Sequence, residues 1–203
     1  MKKYKNIIFD MGNVLLDFSP HLITSKYTQD TDIIHKLVKE IFFKQEWLDM
    51  DQGIMSEEEA YHQIIQRVEP EYHFIVKDIL AHWHESLIER EIMSDLLEQL
   101  KQKGYKLYLF SNASLRFNAY KERIKALNYF EYKVMSAEIL CSKPSLEFYR
   151  KGFELCNINP EESFFIDDSA QNILSANDLG MDGYIYNGSY SLLIDYLKQM
   201  SIL

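Results

Sequence analysis

The sequence has little of several features that define other classes of protein. It contains two cysteines, Cys141 and Cys156, in no CxxC or metal-binding spacing, which excludes a disulfide framework and predicts a reducing, cytoplasmic location. No apolar run approaches the ~18 residues that a membrane span needs. The apolar stretch after Met1 is also too short for a signal peptide. We therefore expect a soluble protein without a membrane partner.

Positive charge is also scarce. The chain has 22 Lys and Arg against 31 Asp and Glu, and its formal net charge is -9. No basic cluster is present that could follow a phosphate backbone, so nucleic acid is not an expected partner. Hydrophobic residues make up 47% of the 203 residues, an ordinary globular composition. This length suffices for one sizeable domain, or for a domain with a smaller insertion.

The stretch Tyr4–Asp17, YKNIIFDMGNVLLD, has the pattern of a buried strand that ends at a functional turn. Its apolar run, Ile7–Phe9, is long enough for one strand of a parallel sheet. Asp10 follows directly, and Gly12 and Asn13 tolerate the tight turn that comes next. The pattern places a carboxylate at the end of a buried strand. An Asp before a Gly is more often simple turn chemistry, so the rest of the chain must decide.

Residues 20–89 show helical patterns and no strand signal. Ser56 and Glu59 form the sequence of a capping box before one of these predicted helices. We predict an all-helical cap over residues 18–89, inserted into a core made of residues 1–17 and 90–203. The aromatic residues of this insertion, among them Trp47, Tyr61 and Trp83, are expected to form the interior of the cap. One or two of the aromatic residues are expected to face the substrate.

From residue 91 onward, predicted strands and helices alternate. The strands are expected at Tyr105–Phe110, Tyr132–Met135, Ser163–Ile166 and Gly183–Tyr186. The helices between them include a continuous one from about Leu115 to Ala126 and one that opens at Lys143-Pro144. Alternation of this kind predicts right-handed crossovers and a doubly wound parallel α/β sheet with helices on both faces.

Three of the predicted strands end in residues that can perform chemistry: Asp10, Ser111-Asn112 and Asp167-Asp168. Lys143 lies at a predicted helix start between the last two. The carboxyl ends of parallel strands lie at one edge of a sheet, so these groups are expected to converge on one crevice. Together they meet the needs of phosphoryl transfer, which requires a nucleophile, cations over the negative charge and donors to the phosphoryl oxygens. Carboxylates are also the ligands that Mg²⁺ prefers.

The segments FDMGNVLLD, SNAS, SKP and IDDSAQNI occur in the order of the four motifs of the haloacid dehalogenase-like hydrolase superfamily, and the chain resembles that family over nearly its whole length. The helical insertion after the first motif resembles the subgroup with a small helical cap. The resemblance implies that Asp10 is the nucleophile and a Mg²⁺ ligand, with the Gly12 carbonyl as another ligand. It also implies that Asp168 binds Mg²⁺ directly and that Asp167 binds it through water.

The same resemblance assigns the phosphate-binding groups. Ser111 and the backbone of Asn112 would hold the phosphate, and Lys143 would neutralise the charge of phosphate and nucleophile. Asn172 would tie together the loop of the last motif.

Gly12 departs from the pattern of most phosphatases in this superfamily, which have a second Asp there as general acid and base. General acid–base catalysis is typically worth about 10²–10⁴-fold. A carboxylate from the cap, such as Asp49 or Asp51, is a candidate replacement. The family's dehalogenases also lack that Asp, but they lack the acidic pair as well, so Asp167-Asp168 favours a phosphate substrate.

We therefore predict a Mg²⁺-dependent phosphomonoester hydrolase that acts through an aspartyl-phosphate on a small phosphorylated metabolite, with a sugar phosphate as the favoured example. A 2-haloacid dehalogenase and a catalytically weak phosphate-binding pseudoenzyme stay open as alternatives. A signalling receiver module is disfavoured, because its acidic pair precedes the phospho-accepting Asp in the chain. The sequence does not predict the oligomeric state.

Overall fold

The computed structural model describes residues 3–203 and contains seven strands within them. Five form a parallel sheet in the order β5-β4-β1-β6-β7, and β2 and β3 form a separate antiparallel ribbon. The strands are β1 (Asn6–Phe9), β2 (Leu16–Asp17), β3 (Ile88–Glu89), β4 (Lys106–Ser111), β5 (Tyr132–Met135), β6 (Ser163–Asp167) and β7 (Asp182–Ile185).

The helices fall into an inserted group, α1 to α5, and a group that alternates with the later strands. They are α1 (Pro20–Thr24), α2 (Thr31–Phe42), α3 (Gln45–Gln52), α4 (Glu57–Ile64), α5 (His73–His82), α6 (Glu91–Gln102), α7 (Phe117–Tyr120), α8 (Ser136–Ile139), α9 (Leu146–Cys156), α10 (Ala170–Asn177) and α11 (Tyr190–Gln199). Within residues 3–203, no helix combines the length and the apolar character that crossing a membrane requires.

Both faces of the sheet are covered. On the central strand β1, Ile7 and Phe9 point into one core cluster and Ile8 into the other, as the alternation of side chains along a strand requires. Helices α6 and α11 contribute buried residues to the first cluster, whereas α9 and α10 contribute to the second. The apolar run of β1 is therefore buried from both sides, which confirms the predicted doubly wound parallel sheet.

The order of the strands fixes where a ligand can bind. Counted along the chain within this sheet, the strand order is 3-2-1-4-5, so the winding direction reverses between β1 and β6. Ligands of open α/β sheets bind in the crevice at this switch point, outside the carboxyl ends of the strands. Asp10 follows β1, and Asp167 is the last residue of β6. The topology thus places the predicted acidic residues at the crevice.

The inserted helices begin as their caps predict. The Ser56 side chain accepts a hydrogen bond from the Glu59 N–H, and the Glu59 carboxylate accepts one from the Ser56 N–H, which completes the capping box of α4. The expectation that 20–89 contains no strand is wrong at its last two residues, where β3 pairs with β2. A two-residue strand is too short for a periodicity to reveal, and the ribbon lies at the predicted boundaries of the cap. The extents 18–89 for the cap and 1–17 with 90–203 for the core stay a proposal.

The predicted helix from Leu115 to Ala126 is also wrong. The chain there forms α7 and two short 3₁₀ segments, Lys121–Arg123 and Lys125–Tyr129. The Glu89 carboxylate accepts hydrogen bonds from the N–H groups of Lys125 (3.1 Å) and Ala126 (2.6 Å). A carboxylate bound to these two N–H groups starts a new helical turn at this point, so the helix cannot run through it.

The helix expected to open at Lys143-Pro144 begins slightly later. Its first residue is Leu146, and the Ser145 side chain caps it by accepting a hydrogen bond from the Glu147 N–H at 3.2 Å. Lys143 therefore lies in the loop before α9, where its side chain turns back toward the sheet.

Candidate active site

Asp10 lies at the point where β1 leaves the sheet. Its N–H still donates to the Ile166 carbonyl of β6, at 2.9 Å, so the ladder fixes its backbone. Its side chain is buried, with the residue 7% exposed. The turn that follows contains Asn13 in the left-handed region, at φ 54°. A side chain at Gly12 would meet no atom within 4 Å, so the glycine leaves open space beside Asp10.

The Lys143 ammonium bridges Asp10 and Asp167, the carboxylates on either side of the switch point. Its Nζ lies 2.7 Å from Asp10 Oδ1 and 2.7 Å from Asp167 Oδ2, and it donates to the Phe110 carbonyl at 2.8 Å. All three N–H groups of the ammonium thus have acceptors. Burial lowers the pKa of Lys143, but the two carboxylates more than offset this effect and the pKa is raised. Lys143 is therefore a fixed positive charge between two acids.

Asp167 is held by residues of its own loop. Its Oδ1 accepts hydrogen bonds from the Ser169 N–H at 2.8 Å and from Asn172 Nδ2 at 3.0 Å. Asn172 thus joins the two ends of the loop after β6 by a hydrogen bond to Asp167. Asp168 is more exposed, and its Oδ2 accepts a hydrogen bond from Asn13 Nδ2 at 3.2 Å. The loops after β1 and β6 are thereby linked.

The three carboxylates form a suitable set of ligands for a hard cation. One oxygen each from Asp10, Asp167 and Asp168 lies within 4.8 Å of the others. Burial raises the pKa of Asp10; Lys143 lowers it in part, and the neighbouring Asp167 raises it further. Burial likewise raises the pKa of Asp168. A single ammonium does not balance three clustered acids, so a divalent cation with oxygen ligands, such as Mg²⁺, fits this donor set.

Ser111 and Asn112 lie at the end of β4, beside the same crevice. Ser111 is buried, and its hydroxyl donates a long hydrogen bond of 3.4 Å to the Asn112 carbonyl. The Asn112 amide donates to the Lys143 carbonyl at 2.9 Å and accepts from the Lys143 N–H at 2.8 Å. The side chain of Asn112 thus fixes the backbone of Lys143, and its own backbone remains beside the crevice.

A cleft of about 160 Å³ lies between the loops after β1 and β4 and the inserted helices. Most of its walls are apolar or aromatic. The lining residues are Met11, Gly12, Leu16, Phe18, Trp47, Asp51, Trp83, Leu87, Asn112, Ala113 and Tyr120. Trp47 and Trp83 therefore line the cleft as well as packing against each other, with ring centroids 5.3 Å apart.

Of the two carboxylates of the inserted helices that were considered from the sequence, the structure brings Asp51 to the cleft. Asp49 instead accepts a hydrogen bond from Gln45 Nε2, at 2.8 Å on the same helix. Burial raises the pKa of Asp51 to about 7; hydrogen bonds from the Ser114 N–H and the Trp47 side chain oppose this, and Asp10 adds to it. Asp51 is thus a half-buried carboxyl that titrates near neutral pH.

Sequence reasoning missed Phe18 and Tyr120 as cleft residues. Phe18 stands just after the first motif and its ring stacks on Trp47, with centroids 5.9 Å apart. Tyr120 comes from the segment where a continuous helix was expected. Neither belongs to a motif, so only the fold reveals their place.

A parallel sheet with carboxylates and a buried lysine at its switch point is the arrangement of a phosphoryl-transfer or related hydrolase. The sequence profile of the haloacid dehalogenase-like hydrolases matches residues 4–180. The chain therefore belongs to this family of hydrolases. The resemblance inferred from the four motifs is confirmed.

Individual relatives extend this result. The chain is 27% identical over 201 residues to the sesquiterpene phosphatase astK of Aspergillus oryzae, covering 97% of this chain and 96% of that protein. A haloacid dehalogenase family enzyme from Bacteroides thetaiotaomicron, solved with magnesium and inorganic phosphate, superposes with a TM-score of 0.71 at 26% identity, covering 94% and 98% of the two chains. The L-2-haloacid dehalogenase of Xanthobacter autotrophicus, with covalently bound chloropropionic acid, gives a TM-score of 0.67 at 16% identity, covering 98% and 84%, and shares the fold alone.

Proposed function

We propose that this hydrolase is a Mg²⁺-dependent phosphomonoesterase that acts through an aspartyl-phosphate at Asp10. The observation that supports it most directly is the buried contact of Lys143 Nζ with both Asp10 and Asp167, each at 2.7 Å. This contact fixes the nucleophile beside a second acid and leaves a cluster that still needs a cation. Carbon–halogen hydrolysis has no need of such a cluster.

In the proposed reaction, a carboxylate oxygen of Asp10 attacks phosphorus and the alcohol leaves. Lys143 holds Asp10 in position and balances part of its charge. The Ser111 hydroxyl and the Asn112 backbone N–H bind phosphoryl oxygens as the charge on them grows. Water then attacks the phosphorus of the aspartyl-phosphate, which releases phosphate and restores Asp10.

Mg²⁺ would be held by Asp10 and Asp168, by the Gly12 carbonyl, and by Asp167 through water. When bound, the ion supplies positive charge over the phosphoryl oxygens. The Bacteroides enzyme, which was solved with magnesium and inorganic phosphate, supports the metal, and the Aspergillus relative, a sesquiterpene phosphatase, supports the phosphatase activity.

The substrate we propose is a small phosphorylated metabolite. The aromatic walls of the cleft, which include Trp47, Trp83 and Tyr120, favour a leaving group with an apolar face. The sesquiterpene phosphatase relative supports that preference. A sugar phosphate, the example favoured from the sequence, would have to pack its C–H face against these rings.

A 2-haloacid dehalogenase is the second candidate, because this chain has Gly12 at the position where most phosphatases of the family have a second Asp. The alternatives are separated by measuring phosphate release from a panel that contains prenyl, benzyl and sugar phosphates, with Mg²⁺ and with chelator. Wild type is compared with Asp10→Asn and with Asp178→Asn, which changes an exposed carboxylate outside the site.

We expect chelator-sensitive phosphate release that Asp10→Asn abolishes and Asp178→Asn preserves. Metal-independent chloride release from 2-chloropropionate would instead identify a dehalogenase. Phosphate binding without turnover of any ester would identify a pseudoenzyme. We propose a cytoplasmic location on the strength of the two unpaired cysteines.

A further inference from the structure

Asp51 comes from the inserted helices, yet it lies in the cleft beside the proposed nucleophile. It is the penultimate residue of α3 and lines the same cleft as Gly12 and Asn112, which are close neighbours in sequence of Asp10 and Ser111. A carboxyl in this place lines the cleft that the alcohol of a phosphomonoester would enter if Asp10 is the nucleophile.

The backbone around Asp51 is hydrogen-bonded to α8 of the core. The Ser136 hydroxyl of α8 donates to the Asp51 carbonyl and accepts from the Ala113 N–H at 2.9 Å, so it joins the end of α3 to the loop after β4. Gln52 Nε2 donates to the Leu140 carbonyl at 3.3 Å.

Gly53 shows how closely the end of α3 approaches α8. It ends α3 at φ 79°, and a Cβ there would lie 2.5 Å from the Ala137 carbonyl oxygen. Only glycine allows this contact. The backbone at the end of α3 therefore lies in direct contact with α8.

The side chain of Asp51 is also oriented by its neighbours. The Ser114 backbone and the Trp47 side chain lie beside its carboxyl group and lower its pKa. The titratable groups that face it are Asp10 of the β1 turn and the Tyr120 hydroxyl of α7. Its pKa of about 7 allows it both to donate and to accept a proton near neutral pH.

We propose that Asp51 is the general acid and base of the reaction, in place of the carboxylate that the family usually has at the position of Gly12. This proposal rests on the proposed phosphomonoesterase function. As the bond between phosphorus and Asp10 forms and the bond to the alcohol breaks, the Asp51 proton passes to the leaving oxygen. Ionised Asp51 then takes a proton from the attacking water. The bond from phosphorus to Asp10 breaks, phosphate leaves, and Asp51 is protonated again.

The test uses two substrates that have the same ring and differ in how much their leaving group needs a proton. The probes are benzyl phosphate, whose alkoxide leaves poorly, and 4-nitrophenyl phosphate, whose phenolate leaves well. For wild type, Asp51→Asn and Asp51→Glu, kcat/KM is measured with Mg²⁺, because it reports the steps up to departure of the alcohol. Asp49→Asn is the matched control, since that carboxyl belongs to the same helix but lies outside the cleft.

We expect Asp51→Asn to lower kcat/KM by about 10²–10⁴-fold for benzyl phosphate and by less than about tenfold for 4-nitrophenyl phosphate. The alkaline fall of the wild-type pH profile with benzyl phosphate should disappear in Asp51→Asn. Asp51→Glu should recover part of the rate, and Asp49→Asn should match wild type.

Equal losses with both substrates, or no loss with benzyl phosphate, would overturn the role of Asp51. Thermal unfolding of each variant serves as the check that it is folded. The proposed function is judged separately by Asp10→Asn: if that variant retains turnover, the phosphatase mechanism fails whatever Asp51 does.

Discussion

Lys143 is the residue on which the charge balance of the proposed site depends. Its ammonium is the partner that the structure gives to two buried carboxylates, and its side chain is 1% exposed. A buried ion pair is costly to break, because removal of one partner leaves a charge without compensation. The same residue thus supports both the fold and the proposed reaction.

Replacement of Lys143 by Met should lower the free energy of unfolding by about 3–5 kcal/mol when no metal is present. The loss should be larger at pH 8 than at pH 5, because protonation of Asp10 relieves the repulsion between the acids. Urea unfolding with chelator measures it, with Lys36→Met as the control, since Lys36 pairs with Glu69 at the surface. Similar small losses for both variants would contradict this account.

Asp51 should make the fold less stable as the pH rises. Its pKa of about 7 in the folded protein lies above the ordinary Asp value of about 3.9. Between these values the folded state binds more protons than the unfolded state, so the free energy of unfolding falls with rising pH.

Asp51→Asn should therefore be close to wild type near pH 4 and more stable by roughly 1–3 kcal/mol at pH 8, after allowance for its partial exposure. Urea unfolding at both pH values, with chelator, measures the difference. Asp49→Asn should follow the wild-type curve. Parallel curves for wild type and Asp51→Asn would show that Asp51 titrates as an ordinary Asp.

At the scale of elements, the important contact is that between the end of α3 and α8. Gly53→Ala adds a methyl group 2.5 Å from a carbonyl oxygen at a residue with positive φ. Gly104→Ala is a matched control, because Gly104 has a similar φ of 81° but no atom within 4 Å of the added Cβ. The comparison separates backbone strain from the close contact.

We expect Gly104→Ala to cost about 1 kcal/mol of unfolding free energy and Gly53→Ala to cost more, roughly 2–4 kcal/mol. Because the contact also positions Asp51, Gly53→Ala should lower kcat/KM for benzyl phosphate more than for 4-nitrophenyl phosphate. Equal effects of the two substitutions on stability would mean that α3 can move away from α8 at little cost.

The segment from Leu115 to Ala126 shows that a contact with a distant residue can override a local helical pattern. Its apolar spacing is helical, and Phe117, Tyr120 and Ile124 are all buried. Nevertheless, the Glu89 carboxylate from the ribbon interrupts the helix by binding two of its N–H groups. A contact between residues 36 apart in sequence cannot be seen in a local pattern.

At the scale of the whole molecule, the proposed metal joins the loops after β1 and β6 and should stabilise the fold. A ligand that binds only the folded state at a hundredfold excess over its Kd adds about 2.7 kcal/mol. Mg²⁺ should therefore raise the Tm of wild type, and Asp168→Asn should reduce the increase.

Thermal unfolding with increasing Mg²⁺ checks this without reference to activity. Asp178→Asn, which removes an exposed carboxylate outside the cluster, should respond to Mg²⁺ as wild type does. An equal increase in Tm for Asp168→Asn would place the cation elsewhere.

The sequence by itself determined the class of the fold and the proximity of the acidic groups. Apolar runs that end at Asp10, Ser111 and Asp167 predict strands of a parallel sheet, and in such a sheet all carboxyl ends share one edge. The motifs also placed the chain in its family. These inferences succeed because they need only local patterns and the geometry common to every sheet of this kind.

The tertiary structure alone decided which residue of the inserted helices reaches the cleft and which side chains line the cleft. Asp49 and Asp51 are alike in sequence, but the fastening of α3 to α8 turns Asp51 inward. Phe18 and Tyr120 become neighbours of Trp47 and Trp83 only when the inserted helices close on the sheet. The physical reason is that contacts between distant segments depend on how helices pack, which no short stretch of sequence specifies.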